Sequence, residues 1–267
     1  MYEQYWGLKE KPFENTPDPK FFYNSAQHEE ALARMVYVVK ESKGAGLLTG
    51  VYGCGKTLLA RALLRELQKD IYKVAIINNP KLDEIEILRM ILYNLGCQDI
   101  PTRKSEVLIK IENILKENTL DGKKTVIIID EAHTIDSNEI FEEIRLLLNF
   151  QLENKFLLTL LLLGQPELKE KVESNKPLNQ RIAMRYHLTG LSINEVAEYI
   201  SHRLKIAQAK FNPFQPDTIE VIFQFSSGIP RRINQICDTA LLAGMGAEIK
   251  SINKNFVKEV VESFSLL

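Results

Sequence analysis

The octapeptide Gly50-Val51-Tyr52-Gly53-Cys54-Gly55-Lys56-Thr57 fits G-x-x-x-x-G-K-[ST] at every position, and it joins the apolar run "GLLT" to the amphipathic run "LLARALLREL". Few folds can house it. Its glycines let the chain curl until backbone N–H groups face inward, and the following helix adds the positive end of its dipole at the same place. Strand, glycine-rich turn and helix in that order predict an α/β layer structure with an anion cradle at the carboxyl end of a strand.

The rest of the chain repeats that alternation. Apolar runs at about 45–49, 73–78, 124–130, 156–163 and 185–188 read as strands, each apolar enough to be buried on both faces. Amphipathic patterns between them read as helices at about 26–42, 56–69, 83–95, 105–118, 138–150 and 166–173. In "DEIEILRMILYNLG", Ile85, Leu88, Ile91, Leu92 and Leu95 form one stripe and Gly96 ends it. After about residue 190 only helical patterns follow, near 192–209, 216–227, 230–246 and 253–264. The fold class expected is therefore α/β, a parallel five-stranded sheet flanked by helices with a C-terminal all-α lid. The expected organisation is an N-terminal segment over 1–24, a core over 25–190 and a lid over 191–267.

The octapeptide carries chemistry as well as geometry. Lys56 would reach the β- and γ-phosphates of ATP or GTP, and Thr57 would ligate Mg²⁺ through its hydroxyl. The candidate nucleotide contacts are Gly50, Val51, Tyr52, Gly53, Cys54, Gly55, Lys56, Thr57 and Leu58. Such a site also needs a carboxylate at the end of a neighbouring strand. In "TVIIIDEAH", Asp130 ends a buried strand and can hold the Mg²⁺ shell, while Glu131 can orient the attacking water. His133 reads equally well as a satisfied turn histidine or as a functional group.

The letters "DEAH" also occur in a helicase class, but a helicase of that class needs two α/β cores, and 267 residues are expected to hold one. Other residues could complete the site. Gln165 follows an apolar strand expected beside that of Asp130 and could bond the water or the γ-phosphate; the alternative is a polar turn before Pro166. Arg181 and Arg185, in "PLNQRIAMRYHL", fall at an edge of the core and either could reach a neighbouring subunit's site. Arg231, in "GIPRRIN", starts a helix, where a cation is unfavourable unless an anion lies near.

Composition limits the partners. Thirty-four Lys and Arg balance 35 Asp and Glu, so the surface as a whole lacks a nucleic-acid binder's charge. The three cysteines, Cys54, Cys97 and Cys237, are scattered and form no CxxC pair, which fits free thiols in a reducing cytoplasm. The longest strongly apolar run, Phe156 to Gly164, is far shorter than the roughly 20 residues needed to cross a bilayer. The expected location is cytoplasmic, with any contact to an inner membrane made through a partner.

The ordered set "GLKEKPFENTPDPKFF", "SAQHEEAL", "LLTGVYGCGKT", "IIIDEAH", "LLTLLLLGQPEL", "LNQRIAMRYHL" and "GIPRRIN" resembles the AAA+ ATPases of the ExeA/GspA type, relatives of which are associated with pilus, exopolysaccharide and transposition systems. The resemblance runs from Tyr2 to about Ala243. It implies ATP and Mg²⁺ as cofactors, a sensor 1 at Gln165, a trans-acting arginine at Arg181 or Arg185, and a sensor 2 at Arg231. It also implies base contacts from Pro19, Phe21 and His28. Modules of this type usually act as nucleotide-dependent homo-oligomers, often rings. Secretion members can continue into a membrane span and a peptidoglycan-binding region; such binding is not expected of this chain, which reaches Leu267.

Three functions compete on these grounds. The leading one is an Mg²⁺-dependent ATPase that assembles or remodels a protein complex of a secretion or envelope system. A DNA-associated ATPase that directs a transposase is the second, and "RLKIAQAK" with "PRRIN" could give it a local basic face; near-zero net charge disfavours it. The third is a scaffold switched by nucleotide that hydrolyses slowly.

Overall fold

A computed structural model of the chain describes residues 1–152 and 155–264. In chain order its elements are α1 (Tyr2–Trp6), α2 (Ala26–Lys40), β1 (Ala45–Gly50), α3 (Lys56–Glu66), β2 (Tyr72–Ile77), α4 (Glu84–Asn94), α5 (Lys104–Leu120), β3 (Lys124–Ile129) and α6 (Asn138–Leu147). They continue with β4 (Gln151–Leu152), β5 (Lys155–Phe156), β6 (Leu158–Gly164), α7 (Glu167–Ser174), α8 (Lys176–Arg181), β7 (Ile182–Leu188), α9 (Ile193–Ile206), α10 (Thr218–Ser226), α11 (Pro230–Gly246) and α12 (Lys254–Phe264).

The chain forms two compact units. The α/β unit comprises Gln27–Tyr52 and Leu59–Leu188. Its five-stranded sheet is parallel throughout, in the order β2-β3-β6-β1-β7. The three central strands, β1, β3 and β6, are buried almost end to end because helices cover both faces, and only an apolar sequence can occupy such strands without orphaned polar groups. The edge strands differ. In β7, Ala183, Arg185 and His187 are exposed and alternate with less exposed residues, so the strand begins earlier than its apolar run suggested and Arg185 lies inside it. The helix expected to reach 150 ends at Leu147, and after a turn at 148–149 the short antiparallel pair β4–β5 leads on to β6.

Local signals set the helix ends. Asp83 and Glu86 make a capping box at the start of α4, and Ser192 and Glu195 make another at the start of α9. The core of the α/β unit runs from Ile87, Leu88 and Ile91 of α4 through Ile127 and Leu160 to Phe141 and Ile144 of α6.

The second unit comprises Met1–Ala26, Gly53–Leu58 and the chain from Thr189 onward. Here the N-terminal segment is part of the core: Tyr2, Trp6, Leu8, Phe13 and Phe21 are buried with residues of α9, α10, α11 and α12. A buried polar network fastens it. Arg203 of α9, only 5% exposed, donates to the carbonyls of Pro12 and Glu14 (3.0 Å to the latter) and to the Tyr199 hydroxyl (2.8 Å). Its guanidinium also lies over the rings of Phe21 and Tyr199. The Tyr199 hydroxyl donates to Asn234 Oδ1 (2.8 Å), and Asn234 Nδ2 donates to Asn15 Oδ1 (3.1 Å). Burial pushes the Tyr199 phenol up, which keeps it a donor in this chain of bonds.

Arg203→Ala strands the carbonyls of Pro12 and Glu14, at a cost of about 1–3 kcal/mol for each buried acceptor left unmet. The expected result is faster tryptic cleavage after Lys9 and Lys20, by about tenfold for each 1.4 kcal/mol lost. Cleavage at the wild-type rate would contradict the anchoring role.

Candidate nucleotide site

Three adjacent central strands deliver candidate groups to one edge of the sheet. β6 lies between β1 and β3, with Thr49 opposite Gly164 and Ile129 opposite Leu162. All three run parallel, so Gly50, Asp130 and Gln165 leave the sheet at the same carboxyl edge, where open α/β sheets bind ligands.

The turn after β3 is tightly built. Asp130 is 4% exposed, and its N–H donates to the Ile77 carbonyl (2.9 Å), which continues the β2–β3 ladder by one residue. Its Oδ1 accepts from the Glu131 N–H (2.9 Å). Glu131 adopts the left-handed conformation, with φ 53° and ψ 30°. A non-glycine residue holds that backbone only where its surroundings impose it, and such strain clusters at functional sites. The surroundings are visible: Thr134 Oγ1 donates to the Glu131 carbonyl (2.8 Å), and Lys171 Nζ from α7 donates to the carbonyls of His133 (2.6 Å) and Ile135 (2.7 Å).

Glycine at 164 lets this turn sit on the end of β6. A Cβ there would stand 3.0 Å from the His133 backbone nitrogen and 2.8 Å from Leu168 Cδ2. The close approach brings Gln165 Nε2 to 2.9 Å from His133 Nε2, and His133 Nδ1 lies 3.5 Å from Glu131 Oε2. The structure thus joins Glu131, His133 and Gln165 in one cluster. The sequence placed Glu131 and Gln165 at the site and left His133 undecided; Gly164, sitting between the strand and Gln165, was the readable sign of the close packing.

The phosphate loop shows the backbone its glycines were expected to allow. Gly53 has φ 84° and Gly55 φ 104°. Cys54 is fully buried and Lys56 is 5% exposed, while Tyr52 points outward. Within the helical unit the loop meets the start of α11: the Arg231 N–H donates to the Gly53 carbonyl (3.3 Å), and a Cβ on Gly53 would come within 2.6 Å of Arg231 Cβ. Gly53 is therefore required twice, by its φ and by the helix that carries Arg231. A curled glycine loop ending in a buried lysine offers the backbone N–H groups and positive charge that suit a phosphate, and a buried carboxylate at a strand end is the type of oxygen donor that suits a divalent cation.

The other candidates are distributed as follows. Arg181 ends α8, donates to Asn149 Oδ1 (3.2 Å) and lies 5.7 Å from the Phe156 ring centre. Arg185 is exposed on edge strand β7, and its Nη2 donates to the carbonyl and side-chain oxygens of Asn179 (2.9 and 2.7 Å). Pro19 opens a single 3-10 turn that Phe21 closes, with Phe21 buried beneath Arg203; His28 is buried on α2.

A parallel sheet of this order with a glycine-lysine loop at its carboxyl edge defines a P-loop nucleotide-binding protein. Residues 39–172, about half of the chain, match the family described as AAA domain. The chain belongs to that family and is an ATPase of the P-loop class. It is similar to General secretion pathway protein A of Aeromonas hydrophila, with 38% identity over 251 residues that cover 91% of this chain and 45% of that protein. The likeness to the ExeA/GspA type read from the motif order is thus found, although this chain spans less than half of that relative's length. Among solved structures, the ORC2 protein of Aeropyrum pernix in its ADPNP-ADP complexes superposes with a TM-score of 0.72 at 17% identity, covering 96% of this chain and 72% of that one. The ORC1 protein of the same organism in complex with DNA gives 0.70 at 16% identity, covering 96% and 69%. At these identities the structural likeness shows the fold alone. Among the described residues no helix is long and apolar enough to cross a membrane.

Gly53→Ala is expected to lower the melting temperature and to weaken binding of a fluorescent ATP analogue at least tenfold. The left-handed backbone alone costs an alanine about 1–2 kcal/mol, before the contact with Arg231 is counted. Binding within twofold of wild type would contradict the double requirement on Gly53.

Proposed function

We propose that the chain is an Mg²⁺-dependent ATPase that assembles as a homo-oligomer and couples its ATP cycle to assembling or remodelling a protein complex of a secretion or envelope system. The observation that carries the hydrolytic part is the shared carboxyl edge of β1, β3 and β6, from which the phosphate loop, Asp130 with Glu131, and Gln165 all depart. The 38% identity to General secretion pathway protein A supports the choice of system.

In this reading the loop from Gly50 to Leu58 binds the phosphates through its backbone N–H groups, and Lys56 spans the β- and γ-phosphates. Thr57 and Asp130 would hold Mg²⁺, which would supply positive charge against the phosphate oxygens. Glu131 orients and polarises the water, and Gln165 bonds the water or the γ-phosphate. Arg231 reaches the phosphates from the start of α11 and ties nucleotide state to the helical unit, while Pro19, Phe21 and His28 supply the base contacts. An arginine from a neighbouring subunit, Arg181 or Arg185, completes the site, a contribution worth about 10³ to 10⁵ in rate in related chemistry. The protein works at the cytoplasmic side, and reaches a membrane through its partner.

Lys56→Ala should abolish ATP binding and turnover, whereas Glu131→Gln should keep binding and lower steady-state turnover by at least about 10²-fold. Subunits carrying Arg181→Ala or Arg185→Ala, inactive alone, should regain activity when mixed with Lys56→Ala subunits if the arginine acts in trans. No rescue with either would remove that assignment. Duplex DNA should leave the rate unchanged across a salt series; strong stimulation that falls steeply with salt would favour a DNA-associated ATPase instead.

A further inference from the structure

We propose that His133 is a positioning residue of the hydrolytic site, its imidazole linking the amide of Gln165 to the carboxylate of Glu131 so that the two act as one unit. The inference rests on the hydrolytic reading above, in which Glu131 orients the water and Gln165 faces the γ-phosphate.

The hydrogen-bonding capacities at each end agree on one arrangement. Gln165 Nε2 can only donate, so the His133 Nε2 that lies 2.9 Å away accepts, and the neutral ring carries its proton on Nδ1. That Nδ1–H faces Glu131 Oε2 at 3.5 Å, where a carboxylate rewards a donor. With the amide turned the other way, the ring would carry its proton on Nε2 and set the Nδ1 lone pair against the Glu131 carboxylate. The first arrangement is favoured at both ends.

The link is poised rather than closed. His133 is 14% exposed at its side chain, and its Nδ1 is buried without a hydrogen bond among the described residues. A buried donor left unmet is costly, and a small rotation of the Glu131 side chain relieves that cost by bringing its oxygen into range. The frame holding His133 is rigid: Lys171 grips the carbonyls of His133 and Ile135, and the bare Cα of Gly164 admits the His133 backbone. The side chains of Glu131 and Gln165 are the parts of the link that can turn without breaking these backbone contacts. When Gln165 turns toward a phosphate, His133 is released from it, and the orientation of Glu131 changes with the same event.

Steady-state ATPase kinetics on His133→Phe, His133→Gln, Gln165→Ala and the double variant His133→Phe/Gln165→Ala test this. The phenylalanine keeps the volume and removes both nitrogens; the glutamine restores one acceptor and one donor at similar spacing. His133→Phe and Gln165→Ala should each lower kcat about 10- to 100-fold with KM and ATP binding within twofold and wild-type melting temperatures. The double variant should be no worse than the poorer single one, and His133→Gln should recover most of the loss. Losses that multiply in the double variant would overturn the link, as would a His133→Phe protein with wild-type kcat.

A second measurement holds whether or not the chain turns over ATP. Imidazole ¹⁵N spectra should show His133 as the neutral Nδ1–H tautomer, with Gln165→Ala shifting it toward a tautomer mixture. An Nε2–H tautomer, or one indifferent to Gln165→Ala, would overturn the proposal. Wild type that binds but never hydrolyses ATP counts against the proposed function, and the tautomer then decides the link alone.

Discussion

The parallel pairing of three fully buried strands is the constraint on which the site depends. β1, β3 and β6 have no solvent face, so their register is held by apolar packing on both sides, and a slip of one residue would move every side chain to the opposite face. Parallel strands in fixed register end together. That shared end is why a loop after Gly50, a carboxylate at Asp130 and an amide at Gln165, far apart in sequence, emerge at one edge of the sheet.

The site's own strain is borne by this frame. Glu131 in left-handed backbone, beside a carboxylate that accepts its N–H, would relax in an isolated turn. It is kept by hydrogen bonds from Thr134 and Lys171 and by the missing Cβ of Gly164, so the glutamate is presented by its neighbours rather than by its own preference. In the helical unit, Arg203 plays the corresponding part for the N-terminal segment: one buried guanidinium satisfies two carbonyls and a phenol that would otherwise be stranded.

Much of this was legible in the residues. Continuous apolar runs located the central strands to within a residue or two, because a strand buried on both faces leaves no room for polar interruption. The octapeptide announced its loop, since the positive φ of Gly53 and Gly55 excludes most other residues. Less was legible where contacts are long-range. The edge strand β7 alternates, so its start at Ile182, ahead of the expected 185, was hidden by mixed polarity. The N-terminal segment carries aromatic residues whose burial with α9 and α11 no local pattern reveals. His133 is one letter in a familiar tetrapeptide, and its meaning depends on Gln165, 32 residues away. Residues matching the AAA domain family reach from 39 to 172, so the helices after Thr189 lie outside that match and were recognised by helical periodicity and by "GIPRRIN".

In the proposed mechanism one edge of the sheet holds nucleotide and metal together. A crystal structure of the protein with a non-hydrolysable ATP analogue and Mn²⁺ tests it most directly, because anomalous scattering locates the metal independently of the surrounding protein. Phosphates are expected within the loop Gly50–Thr57, with a manganese peak beside the Thr57 hydroxyl and Asp130. Nucleotide bound elsewhere, or a metal remote from both residues, would contradict it.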